Sequence, residues 1–278
     1  MIKRAYIEII NTCNLNCGFC MKNHRHPSSL DTSTFRYILE QVKDYTDYIY
    51  LHVQGEPLMH PQFEEIMNIC DAENVHVHIV TNGTYLKDHL DMGKHPSLRK
   101  VSISLQSVEY QNQISISDYM NSVIAFCEKS SSMKRPYTEL RFWRNDERNM
   151  PHTKFCLQAL KNRYDFVETD RLKNYMILPN VYVDFDNEFE WPTMNNPAIT
   201  DKGRCLGAVE QIAILSNGNV VPCCLDCEGS VCFGNIRITS LREILNSGRY
   251  LKMVHAFQNN QIREPLCQKC SFRKRFDK

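Results

Sequence analysis

Cys13-Asn14-Leu15-Asn16-Cys17-Gly18-Phe19-Cys20 spaces three cysteines as C-x3-C-x2-C, with an aromatic residue directly before the third. Three thiolates this close together suit a soft, cluster-forming metal centre. A four-iron cube offers four corners, so three cysteines leave one iron without a protein ligand and open to a small-molecule chelator. Structural zinc is the alternative occupant. It wants four closed ligands, however, and usually pairs C-x2-C with a second such pair.

Working outward from this run, apolar β-rich stretches alternate with helix-like ones over the first two thirds of the chain, the pattern of βα units around a parallel sheet. Strands are expected at 5–10, 48–53, 75–80, 100–105 and 137–143. Amphipathic helices are expected at 33–46, 61–73, 117–130 and 152–163, the first with Phe35, Ile38, Leu39 and Val42 at helical spacing. Strand starts recur close to the ~30 residues of one βαβ unit. A sixth strand near 165–168 or 180–185 completes an α/β fold of the partial (β/α)6 barrel type. Chemistry in such folds gathers at the C-terminal ends of strands, and the Cys13 loop follows directly on the first strand.

Beyond residue 186 the pattern changes. Residues 187–204, with Pro192, Pro197 and several asparagines, read as a connector. Gln211 to Cys223 reads as a β-hairpin around Asn217-Gly218. Ser240 with Glu243 three residues on forms a capping box for a helix through Leu245. The expected organisation is therefore a barrel over 1–186, a connector over 187–204 and a small C-terminal domain over 205–278, built from a β-hairpin plus helix.

Composition narrows the class of protein. A chain of 278 residues buries roughly 70–75% of its unfolded surface and needs no disulfides to fold. Its 13 cysteines fall below disulfide-scaffold density, and their clustered spacing points to metal ligation in a reducing, cytoplasmic setting. Glu8 interrupts the N-terminal apolar stretch too early for a signal peptide or membrane span. A net charge of +1 gives no global attraction to nucleic acid, and Arg273-Lys274-Arg275 reads as a solvated basic end.

The C-x3-C-x2-C run closely resembles the signature of the radical S-adenosylmethionine (SAM) superfamily. The resemblance implies that SAM's amino and carboxylate groups chelate the open iron of a [4Fe–4S] cluster held by Cys13, Cys17 and Cys20. It implies that Gly55-Glu56-Pro57 lies against SAM's amino group and that Ser104 and Arg141 bind its carboxylate. A guanidinium suits that partner, and an arginine between Leu140 and Phe142 on a strand needs an anion. Thr81-Asn82-Gly83, ending the third expected strand, either lines the site or is a turn.

Cys205 and Cys223, spaced C-x12-G-x4-C through Gly218, precede Cys267-Gln-Lys-Cys270. With Gly234-Asn235-Ile236 and the following helix, this resembles the SPASM/Twitch extension of radical SAM enzymes, in the shorter form with one auxiliary cluster. The domain plan is similar to that of 2-deoxy-scyllo-inosamine dehydrogenases. The resemblance implies a fully ligated [4Fe–4S] cluster on Cys205, Cys223, Cys267 and Cys270, suited to passing electrons; zinc is again the competing occupant. Cys70, Cys127 and Cys156 fall at apolar helix positions and read as core. Cys224 is an alternative ligand to Cys223. Cys224 and Cys227 are also candidate hydrogen-atom donors, and Cys232 is left without a role.

The expected activity is cleavage of SAM to a 5′-deoxyadenosyl radical, hydrogen abstraction, and oxidation of the substrate by dehydrogenation or cross-linking, with the auxiliary cluster taking the surplus electron. The alternatives are a radical epimerase with a cysteine hydrogen donor, a peptide maturase with a separate partner, and a zinc-stabilised binding module. The expected partners are a small polar substrate or a peptide, and an electron-donor protein such as flavodoxin or ferredoxin, with no membrane and no nucleic acid. Only twelve residues precede Cys13, which favours a small substrate or one presented by a partner. His52, Gln54, Trp143, Arg144, Glu190 and Trp191 are candidate substrate contacts.

Overall fold

The computed structural model describes residues 2–144, 150–164, 166 and 174–276. In chain order these form β1 (Arg4–Ile7), α1 (Thr32–Val42), β2 (Tyr48–Tyr50), α2 (Phe63–Ala72), β3 (His76–Thr81), β4 (Leu98–Ser104), α3 (Ile116–Met133), β5 (Tyr137–Arg144) and α4 (Pro151–Tyr164). There follow β6 (Asn174–Leu178), β7 (Val181–Asn187), β8 (Gln211–Ile214), β9 (Asn219–Val221), β10 (Gly234–Asn235), α5 (Leu241–Leu245), α6 (Gly248–Gln258) and α7 (Pro265–Gln268). Two compact units emerge, interleaved along the chain. One comprises Met1–Thr12, Cys20–Gly55 and Phe189–Lys278; the other comprises Cys13–Phe19 and Glu56–Glu188.

In the unit made of the chain's two ends, β1 is the organiser. It pairs in parallel with β2 on one side and with β8 on the other, Ala5 facing both Ile49 and Ile212. The hairpin β8–β9 thus extends the sheet begun by the first strand, and β10 pairs antiparallel with β9. The hairpin turn is closed by Gly218 N–H to the Leu215 carbonyl at 2.7 Å, with Gly218 at φ +91°. A side chain there would stand 2.6 Å from Asn235 Oδ1, so the turn requires glycine. Helix α1 starts at Asp31, whose carboxylate accepts from Thr34 N, and buries the expected Phe35, Ile38, Leu39 and Val42. The capping box at Ser240 and Glu243 is present in full.

A charge inside β1's hydrophobic surroundings explains much of this unit's order. Glu8 is fully buried. Its Oε1 accepts from Arg25 Nη2 at 2.7 Å and from Gln54 N at 3.1 Å, while its Oε2 accepts from Ser216 N and Ser216 Oγ, both at 2.9 Å. Arg25 also donates to the Cys227 carbonyl at 2.6 Å. One carboxylate therefore joins the end of the first strand, the loop after the cysteine run, the end of β2 and the turn of the C-terminal hairpin. Glu8 interrupts the apolar stretch in sequence because it is the unit's polar fastener.

In the second unit, β3, β4, β5 and β7 run parallel and β6 pairs antiparallel with β7. The sixth parallel strand is thus at 181–187; of the alternative at 165–168, all but residue 166 lies outside the described residues. The added β6 returns through Pro179-Asn180, with Asn180 in the left-handed region, a turn signal not read as such from sequence. One sheet face is apolar, with Val101, Ile103, Leu140, Phe142, Val183 and Phe185 buried. The other carries the alternating polar residues Lys100, Ser102, Ser104, Glu139, Arg141 and Asp184. Lys100 Nζ and Ser102 Oγ both donate to Glu139, each at 2.8 Å. Cys70, Cys127 and Cys156 are fully buried on α2, α3 and α4.

Removing Glu8 strands a guanidinium in a site where its side chain is 9% exposed. Glu8→Ala is expected to destabilise the chain by about 3–5 kcal/mol. Glu210→Ala, which breaks the exposed pair with Lys3, is expected to cost no more than about 1 kcal/mol. Anaerobic urea unfolding of both variants checks the contrast, and equal losses would remove Glu8 from this role.

Candidate functional site

The first cysteine, Cys13, is held in place by side chains from strand ends. Leu15 N and Asn82 Nδ2 both point at its sulfur, at 3.4 and 3.5 Å. Asn82 also donates to Asn14 Oδ1 at 2.9 Å, and Asn14 Nδ2 bonds Thr84 Oγ1 at 2.9 Å and Gln113 Oε1 at 3.0 Å. Cys17 is buried. Phe19 packs edge-on against Trp143 at 4.3 Å and Tyr110 at 5.5 Å, which gives the aromatic residue before the third cysteine its packing partners. Cys20 Sγ lies 3.4 Å from Gln54 Oε1, and its thiol is raised by burial.

Gly55 has φ +80°, and a Cβ there would overlap the Ile10 carbonyl oxygen and stand 2.9 Å from that of Thr12. Only glycine allows the β2 loop to lie against the backbone that leads into the cysteine run. Glu56 is buried, and its carboxylate is already engaged. Thr81 Oγ1 donates at 2.7 Å, Asn82 N at 2.7 Å and Leu58 N at 3.1 Å. It therefore caps the short helical turn Pro57–Met59 and fixes Asn82, which in turn holds Cys13. Burial pushes its carboxyl up to about 7 against those three donors.

Ser104 ends β4 directly opposite Arg141 on β5, and Arg141 is opposite Asp184 on β7. Part of the anion that an arginine on this face requires is thus the chain's own Asp184, whose carboxyl is raised by burial and by Glu139 and lowered by Arg141. Among the residues expected to contact substrate, Trp143 packs on Phe19, Gln54 touches Cys20, and His52 packs edge-on against Tyr6 and Tyr50. Glu190 and Trp191 belong to the connector: Asn196 bonds both, and Ser271 Oγ donates to the Glu190 carbonyl. The side chain of Arg144 lies outside the described residues.

The second cysteine set gathers in the unit formed by the chain's ends. Each thiol feels others of the set: Cys205 feels Cys270, Cys223 feels Cys205 and Cys267, and Cys267 feels Cys205 and Cys270. Burial raises all four, Cys205 to about 11 and Cys223 and Cys267 well above their ordinary value. Buried sulfurs that resist ionisation alone become thiolates against a cationic centre. Yet among the described residues no three His, Cys, Asp or Glu side chains have the spacing to hold a single metal ion. Ligands of one tetrahedral zinc stand roughly 3.8 Å apart from one another, whereas a cube places a separate iron beneath each sulfur. Four soft thiolates suit an iron–sulfur cluster as the occupant.

Cys224 is half-buried beside Tyr6, with which it hydrogen-bonds, and desolvation pushes its thiol up to about 11. Cys227 has no exposed surface, and burial raises it to about 12. It lines a cavity of about 280 Å³ together with Met21, His24, Thr193, Asp226 and Glu228. Cys232 Sγ lies 3.4 Å from the Gly234 carbonyl. Sequence reasoning missed Asn14 and Arg25 and left Asn82 undecided. The signal for Asn82 was its place at a strand end; the partners of the other two come from tertiary contacts.

Residues 7–129 match the model of the radical SAM superfamily, and residues 205–271 match that of SPASM, an iron–sulfur cluster-binding domain. A curated relative is the tungsten-containing aldehyde ferredoxin oxidoreductase cofactor-modifying protein of Pyrococcus furiosus, 32% identical over 93 residues. That segment is 32% of this chain and 26% of the relative, so the match spans about a quarter of the relative's length. Among solved structures, BtrN in complex with AdoMet and 2-DOIA superposes with a TM-score of 0.57 at 13% identity, over 98% of this chain and 93% of that one. Native anSMEcpe with bound AdoMet and the Cp18Cys peptide gives 0.58 at 14% identity, over 100% and 88%. The likeness places the α/β fold with its parallel strands among the radical SAM partial barrels.

The elevated Glu56 carboxyl has a consequence for stability. Because it binds its proton more tightly folded than unfolded, its contribution is complete below about pH 4.5 and is lost as pH rises to about 7, by roughly 3 kcal/mol. Unfolding free energies of the parent and of Glu56→Gln, measured at pH 5 and pH 7.5, check this. The parent is expected to lose stability relative to the variant at the higher pH, and a constant difference would refute the assignment.

Proposed function

Because the chain belongs to the radical SAM superfamily and carries an iron–sulfur cluster-binding SPASM domain, we propose that it oxidises its substrate by hydrogen abstraction and transfer of the surplus electron to an auxiliary cluster. Cys13, Cys17 and Cys20 supply three thiolates to one [4Fe–4S] cluster. When bound, that cluster and SAM supply a 5′-deoxyadenosyl radical able to take hydrogen from an unactivated carbon. Gly55, Glu56 and Pro57 form the strand-end platform for SAM's ammonium, where the backbone carbonyls are the acceptors, since three protein donors occupy the glutamate. Ser104 and Arg141, opposite one another on β4 and β5, take its carboxylate. Asp184 lies opposite Arg141 on β7.

The observation that supports the oxidative reading is the second four-cysteine set, Cys205, Cys223, Cys267 and Cys270, half-buried except for the buried Cys270. With every corner ligated it leaves no place for substrate, so its use is to hold an electron acceptor. The substrate then loses one hydrogen atom, one proton and one electron. An electron-donor protein of the flavodoxin or ferredoxin type returns reducing equivalents in a reducing cytoplasm. No helix among the described residues is long and apolar enough to cross a membrane. The substrate is a small polar molecule or a peptide; BtrN was solved with 2-DOIA and anSMEcpe with the Cp18Cys peptide.

A second reading rests on Cys227. Its thiol stays protonated at neutral pH and lines a cavity, which suits a hydrogen-atom donor in an epimerase; Cys224, held by Tyr6, is the neighbouring candidate. Turnover in deuterated water separates the two readings. Oxidation is expected to give a product lighter by two hydrogens. An isomer carrying one carbon-bound deuterium, and lost in Cys227→Ala or Cys224→Ala, would overturn it.

The SAM assignment has its own test. Arg141→Leu removes a charge-assisted contact of about 1.5–3 kcal/mol, so SAM affinity is expected to fall tenfold or more while both clusters remain loaded. Equilibrium binding to the anaerobically reconstituted protein checks this, and unchanged affinity would return Arg141 to a purely structural role with Asp184.

A further inference from the structure

Every residue lining the cavity beside Cys227 belongs to the unit made of the chain's two ends. Its volume of about 280 Å³ is just under the roughly 300–1,000 Å³ of sites that take drug-sized ligands, so it holds one side-chain-sized group. Leu225, Asp226, Cys227 and Leu266 form its buried side. Met194, 51% exposed, and the exposed Asn195 and Ser230 form its solvent side. Met21, the residue after the third cysteine of the first set, also lines it, so a group held there lies beside that loop.

The lining combines apolar side chains with charge of one sign. Two carboxylates line the cavity, Asp226 and Glu228, and among the described residues no lysine or arginine does. Asp226 uses both oxygens to hold its own loop, accepting from Ser230 N and Val231 N, each at 2.8 Å. Glu228 is differently placed. Its Oε1 accepts from His24 N at 2.8 Å and lies 3.1 Å from His24 Nδ1, while no described group donates to its Oε2. The His24 side chain is 88% exposed, so water screens it as a counter-charge. Nearby cations are committed to other partners: Arg25 to Glu8 and the Cys227 carbonyl, Arg249 to Glu264, and Lys269 to the Met194 and Asn196 carbonyls. A half-buried carboxylate with an open oxygen, set among Met21, Leu225 and Leu266, matches a cationic donor on an apolar stem.

We propose that this cavity binds the part of the substrate that carries an amino group, the ammonium pairing with Glu228 and its carbon segment lying on the apolar side chains. An alkylammonium supplies N–H donors to the open oxygen. An anionic group would meet two like charges, and a neutral alcohol would leave Glu228 without a counter-ion. The substrate class is therefore an amine, carried by a small molecule or by a peptide side chain. The proposal rests on the reading of the chain as an enzyme for a small polar molecule or a peptide, and it holds for either the oxidative or the epimerising outcome.

The test is anaerobic calorimetric titration of the full-length chain, holding both clusters, with 2-phenylethylamine, 2-phenylethanol and 3-phenylpropanoate, which share an apolar part and differ in charge. The amine is expected to bind about tenfold or more tightly than the alcohol, and the carboxylate to show no binding. Glu228→Gln is expected to remove the amine's advantage while the alcohol's affinity is retained. Ser230→Lys, which places a cation at the exposed side, is expected to do the same without touching Glu228. The peptide acetyl-Gly-Lys-Gly-amide and n-butylamine present the same aminobutyl group: tighter binding of the peptide assigns a peptide substrate, and its exclusion assigns a small amine. No binding of any amine, equal affinity for amine and alcohol, or an amine affinity that both variants leave unchanged would overturn the proposal. The titrations involve no turnover, so a parent chain that fails to cleave SAM would instead overturn the enzymatic reading on which the proposal stands.

Discussion

A single buried carboxylate, Glu8, constrains the unit that unites the chain's two ends. Burying a charge is tolerable only when each of its lone pairs finds a donor, and Glu8 finds four, on Arg25, Gln54 and Ser216. Those donors belong to the loop after the cysteine run, the end of β2 and the hairpin of the C-terminal segment. Satisfying one charge therefore fixes the placement of three chain segments around the end of β1. Because β8 pairs in parallel with β1, the hairpin between Cys205 and Cys223 extends the same sheet as β1.

A second polar chain acts at the strand ends of the other unit. Glu56 accepts from Asn82, Thr81 and Leu58, and Asn82 hands its remaining donors to Cys13 and Asn14. The side chain of Glu56 thus serves the site indirectly, by fixing the residue that orients a ligand. Supporting partners of this kind decide how well a metal ligand is presented. Glu56 carries a cost for this, since its burial opposes the ionised form that the three donors favour.

The two cysteine sets are prepared differently. At Cys13 the sulfur is exposed and receives N–H donors, an arrangement suited to an open site that a small molecule enters. In the second set, where Cys205, Cys223 and Cys267 are half-buried and Cys270 is buried, the thiols are raised by desolvation, which a cationic centre relieves.

Much of this protein was written in local sequence. The C-x3-C-x2-C run, the strand–helix alternation, the Asn217-Gly218 turn and the Ser240 capping box each depend on residues within one short window, where periodicity and backbone preference act directly. The positions of Ser104 and Arg141 at neighbouring strand ends followed from the same alternation. What local pattern could not decide was which distant groups meet. That Glu8 has partners at Arg25, Gln54 and Ser216, that Asn82 holds Cys13, that β8 joins β1, and that Arg273 is buried while Lys274 and Arg275 are exposed all depend on long-range packing. A charge in a sequence announces only that it must be solvated or paired; tertiary structure decides which, because only packing determines where water is excluded.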